Sequence, residues 1–164
     1  AGGVLLKLEN EEAVKAGFNK IKENLFSYNE KASFEGVRIQ QMASEGQDMF
    51  VGGKQDPSFG PIIYFGMGGI YVEIYHDIAT MLCPVEYGEV EKRLKRLKAF
   101  QLLQGVRGKS AGDLKAFIDL IVRISHLLAD FPGIKELDLN PVRVFPSGQG
   151  VIALDARARL TYTN

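Results

Sequence analysis

The chain has 164 residues, with 20 basic and 20 acidic side chains and a formal net charge of zero. A neutral chain lacks the excess of basic residues that binding to nucleic acid or to an acidic membrane requires. Its only cysteine, Cys83, cannot form an internal disulfide, and no apolar run is long enough to span a membrane. These features exclude several classes of protein and predict one cytoplasmic domain with a real hydrophobic core.

The first predicted elements are a strand and a helix. Residues 4–8 form a short apolar run directly after the Gly2-Gly3 pair, which is typical of a strand entered from a turn. A helix should follow, with Asn10 as its N-cap and apolar residues at helical spacing. Those apolar residues are Val14, Phe18, Ile21 and Leu25.

The sequence pattern over residues 36–79 is typical of β-strands. Strands are predicted over residues 37–42, 49–53, 62–65 and 70–78. The connections between them are short and rich in glycine. Since a parallel crossover needs about a dozen residues or more, these strands should pair antiparallel.

Two helices are predicted next. The first covers residues 86–103, and its many basic residues are interpreted as a solvated face. The second opens at Ser110, where Asp113 three residues later resembles a capping box, and it continues through Leu128 as the core helix.

The strongest local signal lies at residues 136–144. On a strand, side chains alternate, so Glu136, Asp138 and Asn140 share one face while Leu137 and Leu139 occupy the other. A turn-rich stretch and a returning strand over residues 151–157 predict a hairpin.

The length of the hairpin loop determines which residues lie opposite each other. If the loop is residues 146–149, paired residue numbers sum to 295, and Asn140 lies opposite Asp155. Directly opposed side chains are close enough for an amide oxygen and a carboxylate to share one Mg²⁺, which prefers oxygen ligands and completes its shell with water and phosphates. The alternative is a hairpin whose polar face simply meets water.

A second signal lies at residues 37–48. Amides and a methionine at a strand end, with Asp48 shortly after, can hold an adenosine: Gln40, Gln41 and Met42 on the base and Asp48 on the ribose hydroxyls. The alternative is an edge strand followed by a polar turn.

Seven motifs in chain order resemble the ATP-grasp part of ADP-forming acyl-CoA (acetyl-CoA) synthetases. Any one of them is weak, but seven in register are specific and cover essentially the whole chain. Succinyl-CoA synthetase β-subunits are similar at a greater distance. The motifs are GGV at 2–4, GVRIQQM at 36–42, GGKQDPSFGP at 52–61, FGMGGIYVE at 65–73, LQGVRG at 103–108, ELDLNPV at 136–142 and ALDAR at 153–157.

The resemblance implies an α+β ATP-grasp fold, with a mainly antiparallel sheet flanked by helices. Residues 1–164 would be the larger, C-terminal part of that domain, because the segment that precedes Gly-Gly-Val in the family is absent. Asn140 and Asp155 match the magnesium positions, and Asp48 stands where the family usually has Glu. The other positions implied are Gln40, Gln41, Met42, Gly2 and Gly3 for the nucleotide, and Gly68, Gly69 and Arg107 near its phosphate end.

The implied function is that of an acid-thiol ligase, with Mg²⁺ and ATP or ADP as cofactors. This part would transfer phosphate between a phosphohistidine and ADP. The histidine and the CoA site belong to a partner domain or subunit, so no catalytic residue is assigned here, the fragment alone should be inactive and the complete enzyme should be an oligomer. The alternative is a catalytically silent regulatory module of a protein lysine acetyltransferase, and the acyl substrate stays open.

Overall fold

The chain divides into two compact units, Ala1–Ser44 and Glu45–Asn164. The structure is a computed structural model, and it describes residues 1–68, 77–105 and 110–161. Each unit is built around its own elements. The candidate metal pair, Asn140 and Asp155, belongs to the second unit.

The first unit contains one long helix, α1 (Glu11–Tyr28). Its start confirms the predicted cap, because the Asn10 side chain accepts a hydrogen bond of 2.8 Å from the backbone N–H of Ala13. The strands predicted over residues 4–8 and 37–42 were wrong: neither segment is a strand in the structure. A strand exists only when its N–H and C=O groups pair with a neighbour, and within the described ranges these two segments have no such ladder.

The second unit is built on an antiparallel sheet. Within the described residues its order is β3-β2-β1-β4-β5, and β6 also pairs with β4. These strands pair antiparallel, and the pairing of β1 with β2 confirms the prediction made for residues 49–53 and 62–65. The strands are β1 (Gln47–Asp56), β2 (Gly60–Met67), β3 (Ile78–Leu82), β4 (Ile134–Val144), β5 (Val151–Ala153) and β6 (Ala156–Leu160).

One further strand prediction needs correction, and another cannot be compared with the described residues. The strand predicted over residues 70–78 lies almost wholly outside the described residues, and β3 begins only at Ile78. The returning strand predicted over residues 151–157 is broken into β5 and β6, which are separated by Leu154 and Asp155.

Among residues 77–105 and 110–161, three helices accompany the sheet: α2 (Tyr87–Leu94), α3 (Ala99–Leu103) and α4 (Leu114–Asp130). The single helix predicted over residues 86–103 was wrong. The Asp77 carboxylate accepts the backbone N–H groups of Lys98 and Ala99, at 3.0 and 2.6 Å, so a new helix starts there instead of continuing the old one. None of the described helices is long and apolar enough to cross a membrane.

The start of α4 also differs from the prediction. Asp113, not Ser110, is the N-cap, because its carboxylate accepts the backbone N–H of Ala116 at 3.1 Å. The helix ends at Asp130, two residues beyond the predicted end.

The hydrophobic core of the second unit lies between α4 and one face of the sheet. Four α4 side chains are fully buried there, together with residues of β1, β2 and β4 and of α2 and α3. The helical spacing of those four residues explains why one face of α4 is covered. They are Phe117, Ile118, Ile121 and Leu128.

Gly53 of β1 lies against Leu128 of α4. A Cβ added at Gly53 would overlap the Leu128 side chain and lie 2.7 Å from the carbonyl oxygen of Ile62. Because a backbone oxygen cannot move aside cheaply, we expect Gly53→Ala to lower the free energy of unfolding by about 1–2 kcal/mol. Urea denaturation measures the change.

The matched control for this prediction is Gly88→Ala in α2. A Cβ at Gly88 meets nothing within 4 Å. Alanine should therefore stabilise that exposed helical position by about 0.5–1 kcal/mol. Equal effects at the two glycines would contradict the packing argument.

Candidate functional site

The strand β4 carries a polar face and a buried face. Leu137 and Leu139 are 9% and 7% exposed and belong to the core below α4. The polar residues that alternate with these leucines, Asp138 and Asn140, are only partly buried. The predicted alternation is therefore confirmed, and the polar side chains lie on the sheet face opposite the core.

The register of the β4–β5 hairpin is the predicted one. Val142 pairs with Ala153 and Val144 with Val151, so paired numbers sum to 295. The Phe145 N–H donates to the carbonyl of Gly150 at 3.1 Å, which closes the loop over residues 146–149.

The same register continues through the break between β5 and β6. The backbone N–H of Asn140 donates to the carbonyl of Asp155 at 3.2 Å, and Asp138 pairs with Arg157. Residues directly opposed on antiparallel strands extend their side chains to the same face. Asn140 and Asp155 are therefore neighbours across the hairpin.

A β-bulge lies at the proposed metal pair. Between the pairs Met49–Val142 and Val51–Leu139, β1 has one residue and β4 has two, Asn140 and Pro141. Proline cannot donate to a ladder, and in the middle of a sheet it is found at bulges. Bulges redirect side chains next to functional sites, and this one lets Val142 return to the core while Asn140 stays on the polar face.

Carboxylates and arginines alternate on this face, where Asp155 lies beside Arg157 and Glu136 beside Arg159. Burial raises the pKa of Asp138; Arg157 lowers it, while Glu136 and Asp155 raise it further. The pKa of Tyr64 on β2 is raised by burial and then by the charges of Asp138 and Glu136. Carboxylates that share one surface are stabilised by a bound cation.

The donor set fits a magnesium ion whose shell is completed by other ligands. Asn140 and Asp155 offer an amide and a carboxylate oxygen, which are hard donors. One Asp155 oxygen accepts the Ala156 N–H at 3.0 Å, and the other lies 3.4 Å from Nε of Arg157. Over the described part of the chain, no three His, Cys, Asp or Glu side chains form a metal cluster, so water and ligand phosphates would have to supply the rest.

Asp48 is held by an arginine that the sequence analysis did not select. Arg143 of β4 lies opposite Asp48 of β1. Its Nε donates to Oδ1 of Asp48, and its Nη2 donates to Oδ2 at 3.2 Å. The hydrogen bond to Asp48 raises the pKa of Arg143. Such a two-point contact adds geometric specificity to the charge attraction.

The residues predicted at the phosphate end are only partly described. Gly68 is buried, and its backbone N–H donates to the carbonyl of Asp48 at 2.9 Å. That contact brings the end of β2 against the start of β1. Gly69 and Arg107 lie outside the described residues.

The remaining predicted nucleotide positions belong to the first unit. The carbonyl of Gly2 accepts a hydrogen bond of 2.8 Å from the Asn24 side chain. Gly3 lines a small cleft beside Ile21, Leu25 and Phe34. The segment that holds Gln40, Gln41 and Met42 is exposed and is not a strand. Because these residues and Asp48 belong to different units, their assembly into an adenosine site stays a prediction.

Comparison with known proteins identifies the family. The profile of the ATP-grasp domain matches residues 1–160. The chain belongs to the ATP-grasp family. This confirms the predicted family and fold.

Relatives of known activity are similar over nearly the whole chain. The 4-hydroxybutyrate–CoA ligase (ADP-forming) of Nitrosopumilus maritimus is 44% identical over 98% of this chain. The β subunit of the acetate–CoA ligase (ADP-forming) II of Pyrococcus furiosus is 37% identical over 94% of this chain and 66% of its own length. The chain spans only 23% of the first of these relatives.

The fold matches a solved structure closely. Acetyl-coenzyme A synthetase 1 of Ca. Korarchaeum cryptofilum, in complex with coenzyme A and Ca-AMPCP, superposes with a TM-score of 0.86 at 35% identity. The match covers 98% of this ATP-grasp chain and 69% of that one. A second structure of that synthetase contains Mg-AMPPCP and a phosphohistidine segment that points towards the nucleotide binding site, with a TM-score of 0.83 at 33% identity. Nothing in these comparisons favours the acetyltransferase alternative.

Proposed function

We propose that this chain is the nucleotide-binding part of an ADP-forming acyl-CoA synthetase, an acid-thiol ligase. It would transfer phosphate between a phosphohistidine and ADP. The observation that carries the proposal is the position of Asn140 directly across the hairpin from Asp155, on the polar face of the sheet. The ADP-forming ligases among the relatives support the same reaction.

Asn140 and Asp155 would hold Mg²⁺. When bound, this ion supplies positive charge that neutralises the phosphate groups. The two side chains orient the phosphate end of the nucleotide, since phosphoryl transfer depends mainly on positioning and electrostatic stabilisation. Asp48, on the same sheet, would accept hydrogen bonds from the ribose hydroxyls, and Gln40 to Met42 would contact the base.

The other participants would come from outside this chain. The phosphohistidine and the CoA site are proposed to belong to a partner domain or subunit, as the name of the Pyrococcus furiosus β subunit suggests. The complete enzyme would be an oligomer. The single cysteine suits a reducing compartment such as the cytoplasm.

The test is phosphate exchange by the full gene product, together with its partner subunit where a separate gene encodes the phosphohistidine. With Mg²⁺ and ATP labelled at the γ-phosphate, we expect the protein to acquire acid-labile, alkali-stable label, the signature of phosphohistidine. Added ADP should remove that label as ATP. Calorimetric titration with Mg-ADP measures nucleotide binding separately. Failure to bind nucleotide and to acquire label would overturn the proposal.

A further inference from the structure

Asp48 is held through both its side chain and its backbone. The guanidinium engages both carboxylate oxygens, and the backbone carbonyl of Asp48 accepts the N–H of Gly68. Both the main chain and the side chain of Asp48 are therefore fixed. A carboxylate has about four acceptor positions, so the two-point contact leaves others for a ligand.

The pair lies on the polar face, together with the proposed metal pair. Asp48 precedes the buried Met49, and Arg143 is flanked by the buried Val142 and Val144, so both side chains extend away from the core. Arg143 is three residues along β4 from Asn140, a separation of at most roughly 10 Å at strand rise, and the bulge at Asn140 and Pro141 shortens it. A nucleotide that places phosphates at Asn140 can reach Asp48 with its ribose.

The side chains are neither buried deeply nor free in solvent. The exposed fractions are 36% for Asp48 and 21% for Arg143. A two-point contact between arginine and a carboxylate can contribute to stability even when it is partly exposed, and the planar guanidinium also fixes the direction of the carboxylate oxygens. The contact therefore orients Asp48 as well as joining β1 to β4.

We propose that Arg143 is a positioning residue that orients the Asp48 carboxylate towards the ribose hydroxyls of the bound nucleotide. This inference rests on the proposed nucleotide-binding function. It assigns to Arg143 a role in discriminating ribose from deoxyribose. Arg143 itself acts through Asp48.

The experiment compares Mg-ATP with the two analogues that lack the ribose 2′- or 3′-hydroxyl, using the full gene product. The wild type should prefer ATP over at least one analogue. Arg143→Lys keeps the positive charge but cannot form the planar two-point contact. We expect that preference to fall about tenfold, as for loss of one hydrogen bond to a charged group.

Two further variants isolate the effect. Arg159→Lys changes another arginine of the same sheet, one with a single 3.3 Å contact to Glu136, and should leave the preference unchanged. In Asp48→Asn, adding Arg143→Lys should cause little further loss, because both changes remove one coupled interaction. Thermal unfolding confirms that each variant is folded.

The outcomes separate this inference from the proposed function. If the wild type binds no nucleotide, the proposed function fails. If it binds ATP selectively and Arg143→Lys keeps that selectivity, or loses affinity for ATP and both analogues equally, the positioning role is overturned while nucleotide binding stands. Independent, additive losses in Asp48→Asn and Arg143→Lys would also overturn it.

Discussion

Asp155→Ala should reduce Mg²⁺-dependent formation of ATP by the full gene product by about 100-fold or more. Asp155 provides the only carboxylate of the proposed magnesium pair, and a metal ion at transferring phosphates contributes several kcal/mol of charge stabilisation. Calorimetric titration with Mg-ADP should show a matching loss of affinity. Magnesium added at higher concentration should restore part of the activity.

This loss should not reflect unfolding. Asp155 is exposed, and the hydrogen bond and ion pair of its side chain are local ones to Ala156 and Arg157. Surface changes of this kind usually alter stability by less than about 0.5 kcal/mol. Asp130→Ala, at the exposed last residue of α4, is the control and should retain full activity. Unchanged Mg-ADP affinity in Asp155→Ala would disprove the metal assignment.

The hairpin was predictable because its information is local. The alternation of Leu137 and Leu139 with polar residues, and a loop closed between Phe145 and Gly150, determine which residues are opposed. The same count continues to Asn140 and Asp155. The alternation of side chains between the two faces of a strand, together with the loop length, is enough to determine which residues pair.

The contacts missed by the sequence analysis join distant parts of the chain. The pairing of β1 with β4 brings Arg143 to Asp48 across 95 positions, and no local pattern encodes it. Asp77 likewise caps the start of α3 from 21 positions away, within a sequence pattern that is continuously helical. Such partners follow only from the tertiary arrangement.

The segments at residues 4–8 and 37–42 failed as strands for a related reason. Apolar, β-branched sequence favours a strand only when a neighbouring strand is present to pair with it. Val4 and Ile39 remain 77% and 70% exposed within the first unit. The sequence pattern therefore identified residues that favour β-structure, but it did not show whether a neighbouring strand was present to pair with them.

Asp113→Ala should lower the free energy of unfolding by about 3 kcal/mol. The Asp113 carboxylate caps α4 through Ala116 and also accepts the N–H of Gly150, at 2.9 Å, in the hairpin loop. The residue is only 8% exposed. Loss of an N-cap costs about 1 kcal/mol, and loss of a hydrogen bond to a charged group about 2 kcal/mol. Urea denaturation measures the sum.

Asp113→Asn tests whether both carboxylate oxygens are needed. Asparagine is a good N-cap, but the N–H groups of Ala116 and Gly150 approach different carboxylate oxygens, and in asparagine one of those two positions is an NH2 group that cannot accept a hydrogen bond. We expect a loss of about 1–2 kcal/mol, between the wild type and the alanine variant. An asparagine variant as stable as the wild type would show that the contact with Gly150 contributes nothing.

The pH dependence gives an independent check of the same carboxylate. Hydrogen bonds from Ala116 and then Gly150 lower the pKa of Asp113 below the ordinary value of 3.8, and burial opposes them. A carboxylate whose pKa is lower in the folded than in the unfolded state stabilises the fold fully at pH values above its unfolded-state pKa. That stabilisation is lost as the pH falls through the folded-state pKa. The difference in unfolding free energy between wild type and Asp113→Asn should therefore be constant near neutral pH and shrink below about pH 4. Hydrogen bonds from the N–H groups of Ser58 and Phe59 also lower the pKa of Asp56. The acid sensitivity of the wild type therefore includes a contribution from Asp56. The difference in unfolding free energy between wild type and Asp113→Asn isolates the contribution of Asp113.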